Sequence, residues 1–587
     1  MSITLFPKPD SKIWNQQNKG DALPILWSTR NINLEKPGYI GLSRRMSYLR
    51  KNGGYDVTVM AGVYFPSEAL YKFNVAGGGI YNVGTDLNTF SQDTNVGSSS
   101  GTTATDMVYW NNTNWYSTPT ELRYLSGGTY TATTISLSSS YPHPISIFEN
   151  KNIICVANGN VVSSRTAGGV DTATALTIPT NFVITKLIYM NNKMYVCTKN
   201  TAGGDAYLFE WDGSTASASY GYPVNSSWIM TGTRYGQSIA IVTVRGELLR
   251  FSGGGFVQLA RLPFYIDQDY EMLGSLTLNA GALPRGMVAV DDYLFIFLIN
   301  TLYKNRAPTS LPIFPGGVYQ YHPDFGLAHR YSISASTQAS ITDYGQTFID
   351  TPGMIMPLME AQTIGDNALL SRGSRLFAGT RTTNASLLTD TYLCSVTSGE
   401  SRGAFTTCKI PTQDITSINQ KLYLKWKNMY NSTDKIVVKY RNEERQNLPI
   451  SINPNAFAIT WTSSTTFTAS STNTNIALAR VGDEVEVISG GGSGSLAHIT
   501  AIGTVDTTYT ITLDETIVGV SNGDRAGVII DNWIKAKTIT NDNIDGYDEV
   551  VVGTEAKWVQ FKIELRGENE IQIEELQILN NNQKTAV

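Results

Sequence analysis

Charge is what this sequence has least of. Asp, Glu, Lys and Arg make up 16% of its 587 residues, against about 25% in an ordinary globular chain. The net charge is −5, from 44 basic and 49 acidic residues, so there is no global electrostatic case for sequence-specific reading of nucleic acid. Histidine is scarcer still, at 4 residues. Hydrolytic and metal-dependent enzymes draw heavily on His, so this shortage argues against catalysis. Four cysteines (Cys155, Cys197, Cys394 and Cys408) are too few for a disulfide framework, and their spacings contain no C-x-x-C pair. Cys155 and Cys197 sit in the apolar runs IICV and YVCT and read as small core residues. No apolar run approaches the roughly 20 residues a membrane-spanning helix needs. The N-terminus, MSITLFPKPDSK, carries Pro and charge where a signal peptide has an apolar stretch. The expectation is a chain made and kept in a cytoplasm unless lysis releases it.

Gly, Asn, Ser and Thr, together with 31 Tyr, take the place of the missing charge. These residues suit strands and turns better than helices. At about 150 residues per domain the length implies three to four domains. The first part, residues 1–55, holds Pro7, Pro9, Pro24 and Pro37 and a basic cluster at Arg44, Arg45, Arg50 and Lys51. It reads as an N-terminal arm. Its charges either reach a partner or form a solvated segment that closes the fold.

Across residues 56–412 one pattern recurs: an apolar strand, a short polar turn, a second apolar strand, then a more exposed aromatic strand. It reads ISIFENKNIICV at 145–156, LIYMNNKMYVC at 187–197, IAIVTVRGELLRF at 239–251 and VAVDDYLFIFLI at 288–299. MVYWNNTNWY (107–116) and VYFPSEALYKFNV (63–75) look like weaker copies. The residues that follow the turns are Trp115, Ile153, Met194, Ile239, Leu294 and Leu376. The first five recur near the roughly 40–50-residue period of a four-stranded propeller blade. The interval from Leu294 to Leu376 is longer and holds an insertion or an extra half-blade. A blade has two apolar faces and cannot stand alone, so blades stack and cover one another. Two or three β-sandwiches would give the same strand spacing. The segment ITDYGQTF (341–348) resembles the Asp-box turn, with Asp343, Gly345, Thr347 and Phe348 matching and Ile341 in place of the usual Ser.

Beyond the propeller, KLYLKWKNM (421–429), KIVVKY (435–440) and KWVQFKIEL (557–565) alternate apolar and polar residues. That is the pattern of a sandwich with one face in solvent. IQIEELQIL (571–579) follows, with Glu574–Glu575 breaking the alternation as a bulge would. The C-terminal sandwich is therefore assigned to 413–454 plus 533–587. Between its parts, 455–532 reads as an inserted small β-barrel, whose ends must lie close together. The expected fold class is all-β: a β-propeller-like blade array, then a β-sandwich carrying an inserted small β-barrel.

The motifs that could carry chemistry do not complete themselves. GGGSGS (490–495) lacks the Lys-Ser/Thr and the helix of a phosphate loop and reads as a flexible hairpin tip. NDNIDGYDEV (541–550) has Asn541, Asn543, Asp545 and Gly546 at calcium-loop spacing, but Val552 stands where a bidentate Glu is required. Acids at Asp267, Asp269, Glu271, Asp291 and Asp292 form no defensible glycosidase pair. The aromatics of YWNNTNWY (109–116) suit packing between blades better than sugar stacking. No catalytic, cofactor-binding or metal residue is assigned, and no cofactor.

The tail KWVQFKIEL…IEELQIL resembles the C-terminal strands of tailed-bacteriophage tail proteins. The order of parts looks like the nozzle or tubular, hub-type tail proteins of short-tailed phages. The resemblance implies a virion structural protein without enzymatic activity, forming a homo-oligomeric ring of six copies around the DNA exit channel. Neighbouring tail or adaptor proteins would be its partners, with passive contact to ejected DNA and no membrane insertion. A mildly acidic lumen would let DNA slide, because each Lys or Arg adds phosphate binding. The alternative is a carbohydrate-binding or carbohydrate-degrading β-propeller, a receptor-binding protein or depolymerase.

Overall fold

The computed structural model describes residues 106–262 without a break. Elsewhere it describes 2–6, 26–30, 32–33, 39–43, 46–52, 59–65, 70–75, 79–84, 90–93, 270–272, 286–290, 292–298, 301–303, 317–324, 326–331, 333–334, 349–357, 376–384, 387–396, 401–407 and 409–411. Towards the C-terminus it describes 420–442, 457–472, 476–492, 495–505, 507–529, 533–540, 544–552 and 556–580. The fold is all-β, in the three parts the pattern predicts.

Six four-stranded antiparallel sheets follow one another along the chain and form blades 1 to 6. Their first strands are Val59–Phe65, Asp106–Trp110, Ile145–Phe148, Phe182–Met190, Ile229–Tyr235 and Met287–Val290. A seventh sheet begins with Ile349–Pro357 and continues through Leu376–Asn384 and Leu387–Val396. Each first strand packs on the first strand of the next blade, and Ile349–Pro357 packs on both Met287–Val290 and Val59–Phe65. The ring is therefore closed, with the first strands around its axis and seven blades among the described residues. Every turn-following residue picked from the sequence, from Trp115 to Leu376, lies on the second strand of a blade. No eighth sheet stands between Leu294 and Leu376 among the described residues. A short ribbon, Tyr270–Met272 with Thr301–Tyr303, lies outside the blade pattern.

The apolar runs of the blades are continuous because both faces are covered. In blade 4, Met194 and Val196 pack toward blade 3 while Tyr195 and Cys197 pack toward blade 5. In blade 5, Ile239 and Ile241 face blade 4 while Ala240 and Val242 face blade 6. Each fully buried Ile, Val or Leu contributes about 1.5–3 kcal/mol.

The segment read as an N-terminal arm is built into both halves of the molecule. Met46–Asn52 pairs antiparallel with Leu387–Val396 and completes blade 7, which also carries Ile333–Ser334 as a parallel strand. Ser2–Phe6 pairs with Gln572–Asn580, and Leu26–Arg30 with Ser401–Thr407. An isolated strand has unpaired backbone groups, and each of these finds a sheet edge hundreds of residues away.

The sandwich is accordingly wider than the assigned 413–454 plus 533–587. One sheet runs Ile32–Asn33, Ile40–Leu42, Gln572–Asn580, Gln420–Lys427, Gly546–Val552. The other runs Leu26–Arg30, Ser401–Thr407, Trp558–Gly567, Lys435–Asn442, Ile534–Thr540. Leu422, Leu424, Trp426, Ile436, Val438, Phe561, Ile563 and Leu565 fill the core between them, joined by Ile32, Ile40 and Leu42 from the N-terminal segment. The anticipated bulge is present: Lys425 pairs with Glu575 and Trp426 with Ile573, which skips Glu574. Glu574 instead meets Lys425 at 3.0 Å, and Lys427.

The barrel is one seven-stranded sheet from Phe457–Ala458 to Thr460–Ser463. Those two edge strands are consecutive in sequence with only Ile459 between them, so the sheet curls back on itself. Its own core is built from Phe467, Val485, Val487, Ile499, Ile511 and Val528. The flanking sandwich strands Lys435–Asn442 and Ile534–Thr540 are hydrogen-bonded neighbours, which brings the two ends of the insertion together.

Candidate functional site

The densest group of buried titratable side chains lies where the barrel sits on the sandwich. On the barrel, Glu484 and Glu486 alternate with the core residues Val485 and Val487 on one strand, and His498 stands between Ala497 and Ile499 on the next. Alternation therefore aims Glu484, Glu486 and His498 out of the barrel. All three are nonetheless buried, so the sandwich is what covers them. From the sandwich, Lys439 places Nζ 2.9 Å from Glu484 and 2.8 Å from Glu564. Arg566 reaches Glu484 at 2.9 Å and Glu564 at 2.8 Å, and Lys562 reaches Glu564 at 3.0 Å. At the rim, Lys435 pairs with Glu515 at 2.7 Å, and Lys535 with Asp514.

Burial alone would raise the carboxyls of Glu484 and Glu564. The adjacent Lys439 and Arg566 overcome it, holding Glu484 down to about 2 and Glu564 well below its usual range. Both are charged and fully engaged near neutrality. His498 is pushed the other way, first by burial and then by Lys439 and Arg566, down to about 3. Its Nε2 is 3.5 Å from Glu484 and its Nδ1 3.5 Å from Asp514. Among the described residues neither ring nitrogen has a partner in hydrogen-bonding geometry.

This cluster was missed at the sequence level. The alternation of KWVQFKIEL reads as one apolar and one solvated face, yet Gln560, Lys562, Glu564 and Arg566 are all buried, the last two joined to the barrel cluster. The available signal was two charge-alternating strands, VGDEVEVIS and FKIELRG, of complementary sign.

The propeller holds its own buried charge. Lys72 and Asp93 form a 2.7 Å ion pair at 0% and 1% side-chain exposure, with Asn82 accepting a second bond from Lys72 at 3.1 Å. His143 sits between blades 2 and 3 with its ring nitrogens 2.8 Å from the Ala157 carbonyl and 3.2 Å from that of Pro119. Burial lowers its pKa, so it is neutral. His322 and His329 belong to blade 6, which leaves the four histidines dispersed. Cys155 and Cys197 are buried free thiols, and burial pushes Cys197 up to about 12.

The other singled-out motifs resolve as follows. Trp110, Trp115 and Tyr116 of YWNNTNWY are buried between blades. GGGSGS follows Glu484–Ser489, and its first residues, Gly490 and Gly491, are held rather than free. Asp524 accepts bonds from Gly491 N at 3.0 Å, Ser521 Oγ at 2.7 Å, Ser521 N at 3.1 Å and Trp461 Nε1 at 2.9 Å. Gly490, at φ +102°, lies where a Cβ would meet the Asp524 carboxylate. In NDNIDGYDEV, Asp545 accepts from Asn428 N at 3.1 Å, Gly546 lies against the Trp426 ring, and Asn541 and Asn543 fall outside the described residues. So do the Asp-box positions Asp343, Gly345, Thr347 and Phe348, the acids Asp267, Asp269 and Asp291, and the side chains of Glu271, Cys394 and Cys408. Among the described residues no group of three His, Cys, Asp or Glu is arranged to hold a metal ion, and no helix is long and apolar enough to cross a membrane.

Two surface features complete the picture. A groove of about 480 Å³ runs between blades 4 and 5, lined by Tyr222, Leu249, Phe256, Glu247, Gln258 and Asn225. Tyr222 stacks on the exposed Tyr220 beside it. On the sandwich, Gly546–Val552 is an edge strand. Tyr547 and Val551 project from one face of it and are exposed, with Ile544 and Tyr430 exposed at its end.

No family model matches the chain, and no curated protein matches it. Among solved structures it is similar to the extracellular domain of a hybrid two-component system from B. thetaiotaomicron, at TM-score 0.40 and 13% identity over 72% of this chain and 45% of that one. It is also similar to Chaetomium thermophilum Raptor, at TM-score 0.38 and 9% identity over 60% of this chain and 30% of that one. A third is the WD40 propeller domain of Doa1, at TM-score 0.31 and 12% identity over 41% of this chain and 87% of that one. The chain thus spans less than half the length of the first two.

Proposed function

We propose that this protein is a structural component of a tailed-bacteriophage virion, a ring-forming tail protein of the nozzle or hub type without catalytic activity. Six copies would surround the DNA exit channel, in contact with neighbouring tail or adaptor proteins. The observation that carries this reading is how the chain uses its buried charges. Lys439, Glu484, Glu564 and Arg566 join one part of the molecule to another, and Lys72 pairs with Asp93 inside the propeller. Charge used in internal joints is not available to solvate the outer surface, which suits a subunit packed against neighbours. The low charge fraction agrees, since assembly interfaces are depleted in Lys, Glu and Asp and enriched in Tyr. Cryo-EM of purified particles tests the proposal: ring-shaped density fitted by this propeller and sandwich at the tail supports it. A virion proteome lacking the chain would sink it.

A second reading, carbohydrate binding, draws on the groove between blades 4 and 5, where Tyr220, Tyr222 and Phe256 offer ring faces beside Glu247 and Gln258. A glycan array and a depolymerisation assay decide it. Absence of both binding and cleavage across bacterial surface polysaccharides rejects it.

A further inference from the structure

We propose that the barrel–sandwich junction is a proton-operated latch: mild acid releases the barrel from the sandwich while both stay folded. The two parts have separate apolar cores, and the contacts described between them are dominated by charge. The barrel contributes Glu484, Asp514, Glu515 and His498, with Glu486 buried on the same face. The sandwich contributes Lys435, Lys439, Lys535, Lys562 and Arg566, with Glu564 among them. Such a joint can open without unfolding either core.

His498 is the group through which protons act. It points out of the barrel and is 2% exposed only because the sandwich covers it. Around it, the carboxylates of Glu484, Glu564 and Asp514 are already met by Lys439, Lys562, Arg566 and Lys535. An imidazolium would add a positive charge to a site with no uncommitted carboxylate. The docked histidine is therefore neutral, its pKa driven down to about 3 by burial and by Lys439 and Arg566. In a released barrel it returns to water and to an ordinary value near 6.5.

The sign follows from linkage. The docked pKa is the lower one, so docking is at full strength above about pH 6.5 and weakens as the pH falls toward 3. Each pH unit in that window multiplies the released-to-docked ratio by up to about ten, which amounts to roughly 30-fold between pH 7.5 and 5. Glu484 acts in the same direction but lower. Held near 2 when docked, it gives up its contribution only below its ordinary value of about 4.3. Between pH 6.5 and 5 the switch belongs to His498, because the Lys and Arg partners stay charged throughout.

The test is carboxyl footprinting of the full-length protein with a carbodiimide and glycine ethyl ester, read by mass spectrometry at pH 7.5 and 5.0. Labelling of Glu484 and Glu564 is normalised to the exposed Glu549. The expected result is a rise in their relative labelling of about 30-fold at pH 5.0, with hydrogen-exchange protection of the barrel strands Glu484–Ser489 and Arg525–Ile529 unchanged. In His498→Gln, and in His498→Asn should the first fail to fold, the rise disappears. No rise in the parent protein, an equal rise in the variant, or a rise accompanied by loss of barrel protection would each overturn the proposal.

Discussion

Asp524 shows how much a single carboxylate organises in the barrel. It is fully buried, and the donors from Ser521, Trp461 and Gly491 converge on it. Burial opposes its ionisation, but those hydrogen bonds prevail and hold the carboxyl below its usual range. Asp524→Asn turns one accepting oxygen into a donor that faces other donors. It should cost the barrel about 1–3 kcal/mol, read as a lower urea midpoint for hydrogen-exchange protection of the barrel strands Glu484–Ser489 and Arg525–Ile529. The contribution of the parent Asp is present above its ordinary pKa near 3.9 and is lost as the pH falls below it, so the variant and parent curves should converge in acid. Glycine at 490 was legible in the sequence as a turn, but its reason was not. The Gly490–Asp524 contact lies between separate strands, and nothing local in GGGSGS points to it.

At the level of elements, the hairpins were the most legible feature. Asn111–Asn112 and Asn191–Asn192 all have positive φ, as the tight turns joining the first and second strands of a blade require. The same side-chain bond recurs in both: Tyr109 donates to Asn112 at 2.6 Å and Tyr189 to Asn192 at 3.0 Å. Asn192→Val, β-branched at φ 60°, should cost about 1–3 kcal/mol, whereas Asn192→Gly should stay within about 1 kcal/mol of the parent. Thermal unfolding of the two variants side by side checks this. The N-terminal strands were not legible as elements of any sheet, because their partners lie at the far end of the chain. Removing residues 1–30 strips Ser2–Phe6 and Leu26–Arg30 from the sandwich but leaves the blade-closing Met46–Asn52 in place. The sandwich transition in calorimetry should fall by roughly 10 °C, taking about 2–4 °C per kcal/mol, while the propeller transition holds.

At the scale of the whole molecule, composition and period identified the three parts, but the number of blades came only from the closed ring. Blade 7 mixes strands from both ends of the propeller, and no local period can reveal that. The association proposed above has a specific place to act. The edge strand Gly546–Val552 exposes Tyr547 and Val551, and an exposed edge with apolar side chains is a ready pairing surface. Tyr547→Lys should shift the protein from oligomer toward monomer by at least about tenfold in dissociation constant, measured by analytical ultracentrifugation. An unchanged sedimentation profile would place the contact elsewhere.

Closure of the propeller by Met46–Asn52 also sets a clock. During synthesis this strand leaves the ribosome early, yet its partner Leu387–Val396 is about 340 residues behind. At about 5–20 residues per second the wait is on the order of 20–70 s. Ser2–Phe6 waits longer still, for Gln572–Asn580. Blades 1 to 6 have local partners and are free to form in sequence, but Met46–Asn52 and Leu26–Arg30 stay unpaired until about residue 400 is made, and Ser2–Phe6 until the chain is nearly complete. The early nascent chain therefore carries open strands with no home, and a chain truncated before residue 387 would keep an open ring with an aggregation-prone edge at each end.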